Sequence, residues 1–335
     1  MSEPLLRVSD LKTFFQVKRG FPNPETVTVR ALDEISFEVK RGEAFGLVGE
    51  SGCGKSTAGR SILRLVEPNS GSVVFDGEDV LKADKARMRV LRQRLQIIFQ
   101  DPYSSLNPRM RIGKALAEPL LVHGILGKAE AEERVRELLA EVGLPRDAGQ
   151  RFPHEFSGGQ RQRLGIARAL TLNPEVIIAD EPVSALDVSI QAQILTLLRN
   201  LQEKHSLSFI FISHDLGVVR YFCQVMAVMY LGRIVEKGPI PQIFDAPLHP
   251  YTEVLRDASP VPDPLTRKSF ERIEGEVPSA INPPTGCHFH PRCAHATDLC
   301  RRTYPKWTRI DAERSVACHL YDAASGMTRR KENTQ

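Results

Sequence analysis

Phe156-Ser157-Gly158-Gly159-Gln160-Arg161-Gln162-Arg163 opens a helix with a serine, two glycines and a glutamine. Such a start leaves backbone N–H groups exposed at a positive helix end, which is a ready site for an anion. The stretch lies between two halves of a nucleotide site. Upstream is Gly49-Glu50-Ser51-Gly52-Cys53-Gly54-Lys55-Ser56-Thr57, and downstream is Val176-Ile177-Ile178-Ala179-Asp180-Glu181. In the first, glycines let successive N–H groups turn inward toward phosphates, Lys55 brings a point charge to the β- and γ-phosphates, and Ser56 offers a hydroxyl to Mg²⁺. In the second, four apolar strand residues deliver Asp180 to Mg²⁺, directly or through water, and Glu181 stands beside it to polarise the attacking water. Those two halves already complete a P-loop site. A single chain has no second triphosphate for Ser157–Gln160, so this further anion site is expected to serve ATP held by a neighbouring subunit.

The rest of the chain is arranged around these motifs. Residues 5–47 alternate as short strands, with turns at Lys18-Arg19-Gly20 and Arg41-Gly42-Glu43. Leu47-Val48 runs into the glycine-rich loop and a helix follows over 56–66, the strand, loop and helix a P-loop requires. Residues 84–95 read as a basic helix, 96–99 as a strand, and 101–108 as an irregular loop. An amphipathic helical stretch over 112–142 suggests a separate helical subdomain. Val176–Ala179 and Phe209–Ile212 read as buried parallel strands, and Val225–Tyr230 with Arg233–Glu236 as a strand pair. After Gly238 the composition shifts. Ten of the 46 residues from Pro239 to Pro284 are proline, which excludes long helices and reads as an extended linker or wrapping arm.

Composition is that of an ordinary globular protein, 41% apolar and 26% charged, and the net charge of +4 is small for 335 residues. It selects neither nucleic acid nor a membrane surface as partner. There is no run of eighteen apolar residues, and Met1-Ser2-Glu3-Pro4-Leu5-Leu6-Arg7 lacks the basic-then-apolar pattern of a signal peptide. The expectation is a soluble cytosolic protein whose membrane role comes through partners. Six cysteines in that compartment argue against disulfides.

In this order the motifs resemble the ATP-binding cassette, the motor subunit of ABC transporters, over roughly residues 5–240. The resemblance implies an α/β fold, a P-loop NTPase cassette with a RecA-like mixed sheet core, an antiparallel β subdomain and a helical subdomain at about 101–172. Gly49, Ser51, Gly52, Cys53, Gly54, Lys55, Ser56 and Thr57 then cradle ATP, with Cys53 as a small filler at a variable position of the motif. Ser56, Gln100 and Asp180 serve Mg²⁺, and Glu181, Gln100 and His214 are the catalytic set: Gln100 as the sensor at its loop, His214 as the switch that contacts the γ-phosphate. Ser157, Gly158, Gly159 and Gln160 face the opposing subunit's ATP, and Asp187, in Ser184-Ala185-Leu186-Asp187, lies along the dimer interface. Phe15 is expected to stack on the base, with Phe14 as the near alternative, because two adjacent strand residues face opposite sides. Arg161, Arg163 and Arg168 read as a solvated face with local ion pairs.

Four stretches narrow the resemblance to the ATPases of oligopeptide and dipeptide permeases, within the peptide/nickel importer group and nearer the F-type than the D-type. They are Ile98–Pro108, Phe152–Phe156, Asp180–Ser189 and Pro247–Thr252. This implies two transmembrane permease subunits, a second ATPase that is either a homologous chain or a second copy, and an extracytoplasmic solute-binding protein. It implies no nucleic acid, and a peripheral place on the cytoplasmic face of the inner membrane. A soluble ABC ATPase acting on DNA or ribosomes is the alternative, and the coiled-coil or zinc insertions usual there are missing from this sequence.

The extension, 241–320, ends in a Cys/His-rich module, and 321–335 is expected to be a disordered tail. Cys287, Cys293, Cys300 and Cys318 lack the paired Cys-x-x-Cys spacing of most zinc modules. Isolated buried thiols, Zn²⁺ and an iron–sulfur cluster all remain open on spacing alone. The four positions resemble the cysteines that hold a four-iron four-sulfur (4Fe-4S) cluster in some peptide-permease ATPases.

Overall fold

The computed structural model describes residues 3–20, 22–101, 106–258 and 278–326. Residues 102–105 of the irregular loop, residues 259–277 of the proline-rich arm and the end of the tail lie outside them. The strands are β1 Leu6–Arg19, β2 Glu25–Val39, β3 Ala44–Val48, β4 Ser70–Phe75, β5 Glu78–Asp79, β6 Leu95–Ile98, β7 Val176–Asp180, β8 Ser208–Ser213, β9 Val225–Tyr230, β10 Arg233–Pro239, β11 Thr308–Arg309 and β12 Ser315–Val316. The chain divides into two compact units. One comprises Met1–Leu5, Val39–Ala44 and Phe75–Ile212, and the other Leu6–Glu38, Phe45–Val74 and Ser213–Gln335.

In the first unit β6, β7 and β8 are parallel neighbours, with Ile98 beside Ala179 and Asp180 beside Ile212. Every residue of β7 and β8 is buried, which is why both read as unbroken apolar runs rather than alternating ones. The expected helical stretch over 112–142 is two helices, Ile112–Val122 and Lys128–Glu141. The break is chemical: Gly124 takes φ 67°, Ile125 N–H bonds back to the Leu120 carbonyl, and Gly127 starts the second helix with its N–H on Glu130. Ile112, Leu116 and Leu120 on one helix and Ala131, Val135, Leu138 and Leu139 on the other form the buried stripes. Each fully buried leucine or isoleucine contributes ~1.5–3 kcal/mol of transfer free energy.

In the second unit β2, β1 and β4 lie side by side in one sheet. The strands predicted as short are long, 14 residues for β1 and 15 for β2. Asp10 (φ 49°) and Glu34 (φ 66°) explain the difference, because each inserts a left-handed residue that shifts the alternation by one, from Leu6 and Val8 to Leu11 and Thr13. A second sheet runs β11-β12-β10-β9-β3 within this unit. β3 and β9 are parallel, and β9 and β10 form the expected pair, antiparallel through Leu231 (φ 42°) and Gly232 (φ 77°). The extension joins this sheet through β12, which pairs with β10 at Glu236 opposite Val316. Glu236 is fully buried there and accepts from Arg314 at 2.8 Å and from the N–H groups of Leu248 and His249. Pro239–Pro284 contributes only short helices among the described residues, Ile240–Asp245 and Pro250–Ala258. The first residues of the expected disordered tail carry a short turn, Ala323–Ser325.

Candidate nucleotide site and cysteine module

The phosphate loop is shaped by the close approach of its neighbours. A Cβ on Gly54 (φ 106°) would stand 2.2 Å from the Ala31 carbonyl, and one on Gly49 would stand 2.3 Å from that of Met229. Only glycine fits at either place. The β9–β10 turn is stitched to the same loop, since Gly232 N–H donates to Cys53 O and Asp33 N–H to Gly232 O. Lys55 begins the helix Lys55–Ile62 and is buried, its ammonium donating to the carbonyls of Gly49 (2.7 Å) and Glu50 (3.0 Å). Cys53 is also buried, and burial raises its thiol pKa, which keeps it a neutral filler. Ser51 and Gly52 are exposed at the loop's outer turn, while Ser56 and Thr57 ride on the first helical turn.

In the other unit Asp180 ends β7, 1% exposed, and Glu181 follows with φ 46°. That conformation is rare for a side chain other than glycine, asparagine or aspartate, and it turns the carboxylate away from the strand direction. The Glu181 N–H is held by the Ile212 carbonyl at 3.0 Å, and Gln100 Nε2 donates to Glu181 Oε2 at 2.9 Å. Thus two sequence-predicted residues meet directly, through the Gln100 amide nitrogen. His214 follows β8 at an exposed position, and Asp215 caps the next helix, Leu216–Phe222, at 2.7 Å from Gly217 N.

Ser157 caps the helix Gly158–Leu170 by a reciprocal pair: its N–H donates to Gln160 Oε1 (3.0 Å) and its hydroxyl accepts from Gln160 N–H. Gln160 therefore supports the loop locally. Ser157 and Gly158 are exposed, and Phe156 is buried beneath them. Gly159 has a packing reason as well, because a Cβ there would meet Ile190 Cγ2 at 2.7 Å. Asp187 caps the helix Val188–His205, accepting from Ile190 N–H at 2.9 Å, and its carboxyl is held below the usual range by the Ser189 hydroxyl and that N–H. Arg161 donates to the Pro153 carbonyl and Arg163 to that of Val142, and burial lowers the pKa of Arg168.

Of the two phenylalanines, Phe14 lines a surface pocket with Arg19, Glu25, Val27, Thr28, Arg30, Ile281 and Asn282. The Arg30 guanidinium lies 6.0 Å from the Phe14 ring centre. Phe15 is on the other strand face and 36% exposed. All six cysteines are free thiols. Cys287, Cys293, Cys300 and Cys318 line one small cavity together with His290, His295 and His319. Burial pushes the Cys287 and Cys318 thiols up to about 12. Among the described residues no three His, Cys, Asp or Glu side chains converge as a cage for a single ion.

Sequence reasoning missed Arg292 and Tyr251, both bonded to Glu50 of the phosphate loop, at 2.9 Å and 2.9 Å. An arginine inside a cysteine-rich run was the available signal. It was silent because its partner lies some 240 residues away.

Residues 32–184 match the ABC transporter family model, and residues 235–300 match that of the oligopeptide/dipeptide transporter C-terminal region. The "Probable peptide ABC transporter ATP-binding protein y4tS" of Sinorhizobium fredii is 50% identical over 96% of this chain and 91% of its own length. The oligopeptide transport ATP-binding protein AppF of Bacillus subtilis is 48% identical over 95% of this chain and 98% of its own. Among solved structures, the dimeric ATP-binding cassette MJ0796 in a post-hydrolysis state bound to ADP and Pi superposes with a TM-score of 0.61 at 27% identity, covering 70% of this chain and 98% of that one. With identity near one half along almost its whole length and both family models in register with the motifs, the chain belongs to the ABC transporter ATPases, in the branch that carries the oligopeptide/dipeptide transporter C-terminal region.

Proposed function

We propose that this chain is the ATP-hydrolysing motor of a peptide importer, in which closure of two ATPases on two ATP molecules moves partner membrane subunits. The observation that carries the reading is the near-full-length identity to peptide-transport ATPases, extension included. No helix among the described residues is long and apolar enough to cross a membrane, so passage of the solute falls to other chains. Those are two permease subunits, a second ATPase, homologous or identical, and an extracytoplasmic binding protein, with this chain peripheral on the cytoplasmic face. Purified with co-expressed permease subunits in vesicles, it should drive peptide uptake only with hydrolysable ATP. Uptake that proceeds without ATP would reject the motor role.

In the ATP site, Lys55 and the N–H groups of Gly49–Thr57 take the phosphates. Ser56, Asp180 and Gln100 present hydroxyl, carboxylate and amide oxygens, the donor set Mg²⁺ prefers. Mg²⁺ supplies charge neutralisation of the phosphates when bound. Glu181 orients and polarises the attacking water, Gln100 reports on that carboxylate through its 2.9 Å bond, and His214 contacts the γ-phosphate. Ser157, Gly158 and Gly159 serve the opposing subunit's ATP, with Gln160 bracing them and Asp187 beside the interface. Phe14, the alternative to Phe15, takes the base, because it lines a surface pocket with the Arg30 guanidinium 6.0 Å from its ring centre.

The cysteine module holds a 4Fe-4S cluster in this reading. A lone Zn²⁺ needs four donors at about 2.0–2.3 Å from one point, whereas a cluster cage sets its thiolates around a volume. The support for the second arrangement is that the four thiols line one cavity. Anaerobically purified protein should be brown and contain iron and acid-labile sulfide; zinc alone, or no metal, would reject the cluster.

A further inference from the structure

Glu50, the second residue of the phosphate loop, has its outward polar groups held by the C-terminal extension. Its carboxylate receives both prongs of Arg292, Nη1 to Oε2 at 2.9 Å and Nη2 to Oε1 at 3.0 Å. Its N–H donates to the Tyr251 hydroxyl at 2.9 Å. Its carbonyl faces the other way and accepts from Lys55 Nζ at 3.0 Å and from Cys53 N–H. One residue thus connects the extension to the lysine that meets the phosphates.

The anchoring side is rigid. The Arg292 side chain is only 6% exposed, and its guanidinium lies near the rings of Tyr230 and Phe289. Tyr230, Tyr251 and Phe289 pack edge to face and tilted, with centroids 4.7–5.4 Å apart. Arg292 closes the short turn His290–Arg292, set between Cys287 and Cys293, and Cys287 N–H is pinned to the Cys300 carbonyl at 2.8 Å. Whatever orders the four thiols orders this turn.

We propose that the cysteine module is a clamp on the phosphate loop and that Arg292 is a positioning residue for nucleotide, neutralising Glu50 next to the triphosphate and fixing the outer turn of the loop. The proposal rests on the ATPase reading of the chain. Its electrostatic logic is specific. With Arg292 removed, Glu50 is an uncompensated carboxylate beside a polyanion, and both the charge and the freed turn oppose phosphate binding. With Glu50 also made neutral, the charge penalty goes.

The test is the dissociation constant of a fluorescent ADP analogue on full-length protein, with melting temperature followed alongside. Arg292→Ala should weaken binding about tenfold, a usual size for coupling between two sites. The pair Arg292→Ala with Glu50→Gln should recover most of that loss, Arg292→Lys should be intermediate, and Arg301→Ala, an exposed change in the same module, should bind as the parent does. Parental affinity in Arg292→Ala, or a double variant no tighter than the single one, overturns the clamp. If Arg292→Ala does not fold, Arg292→Lys decides by the same measure: parental affinity overturns the proposal and a several-fold loss restored by Glu50→Gln supports it. A parent that binds nucleotide yet never hydrolyses it would count against the motor reading and leave these affinity ratios to be scored separately.

Discussion

Glu181 sits between a buried strand and the turn that follows it, in a backbone conformation that favours glycine. A carboxylate kept at such a cost, with an amide aimed at it from Gln100, is suited to act on a water molecule. Glu181→Gln keeps the side chain's size and its contact but not its basicity. Nucleotide affinity should stay parental while steady-state turnover falls by at least about a hundredfold, as loss of a general base does; equilibrium binding and phosphate release measure the two. Gly159 gives a second residue-level prediction. Gly159→Ala puts a methyl group into Ile190, an overpacking expected to cost ~1–3 kcal/mol, and Ile190→Ala in the same chain should return part of it. Urea unfolding of the single and double variants reads this directly. The helix start at Ser157 and the glycines was legible because it is a local pattern. The Ile190 contact was not, because it joins two helices distant in sequence, and the strand's facing at Phe14 and Phe15 was concealed by the shift at Asp10.

Elements show the same division between local and distant causes. Buried strands announced themselves as apolar runs, and the β9–β10 pair by its Leu-Gly turn, whereas the helix over 112–142 hid a glycine stop at Gly124. Electrostatics between elements was not legible at all. Arg41 and Arg94 each bond both Asp76 and Glu175, so that four charges gather beside the starts of β6 and β7, and Arg94 also stacks 4.6 Å over Phe75. The Arg94 hydrogen bonds hold both carboxyls below their ordinary range. A carboxyl lowered in the folded state stabilises the fold fully above its unfolded pKa and loses that contribution as pH falls through the folded value. Melting temperature should therefore decline from about pH 4.5 downward, and Arg94→Met should flatten that decline. Because these groups are between 29% and 59% exposed, the network is worth no more than ~1 kcal/mol per pair and should weaken with salt. A pH series of melting curves at two ionic strengths checks both statements.

At the scale of the whole molecule, the order of motifs was enough to place the chain in its family, because phosphate chemistry constrains residue type and spacing so tightly. The cysteine module was less legible. Spacing left zinc, a cluster and plain thiols open, and that the four thiols line one cavity was not visible in it. The clamp from Arg292 to Glu50 could not be foreseen, since it depends on the extension returning to the phosphate loop. In the proposed reading the motor depends on the exposed Ser157 and Gly158, with Gly159, serving a second subunit. Vanadate trapping followed by photocleavage cuts a polypeptide where the γ-phosphate rests, so it can be read in assemblies where only one of the two ATPases has its P-loop lysine replaced by alanine. Cleavage at Ser157 of this chain should vanish when the opposing ATPase carries the replacement and persist when Lys55 of the same chain does. Cleavage at Ser157 that follows Lys55 of its own chain would contradict a site shared between subunits.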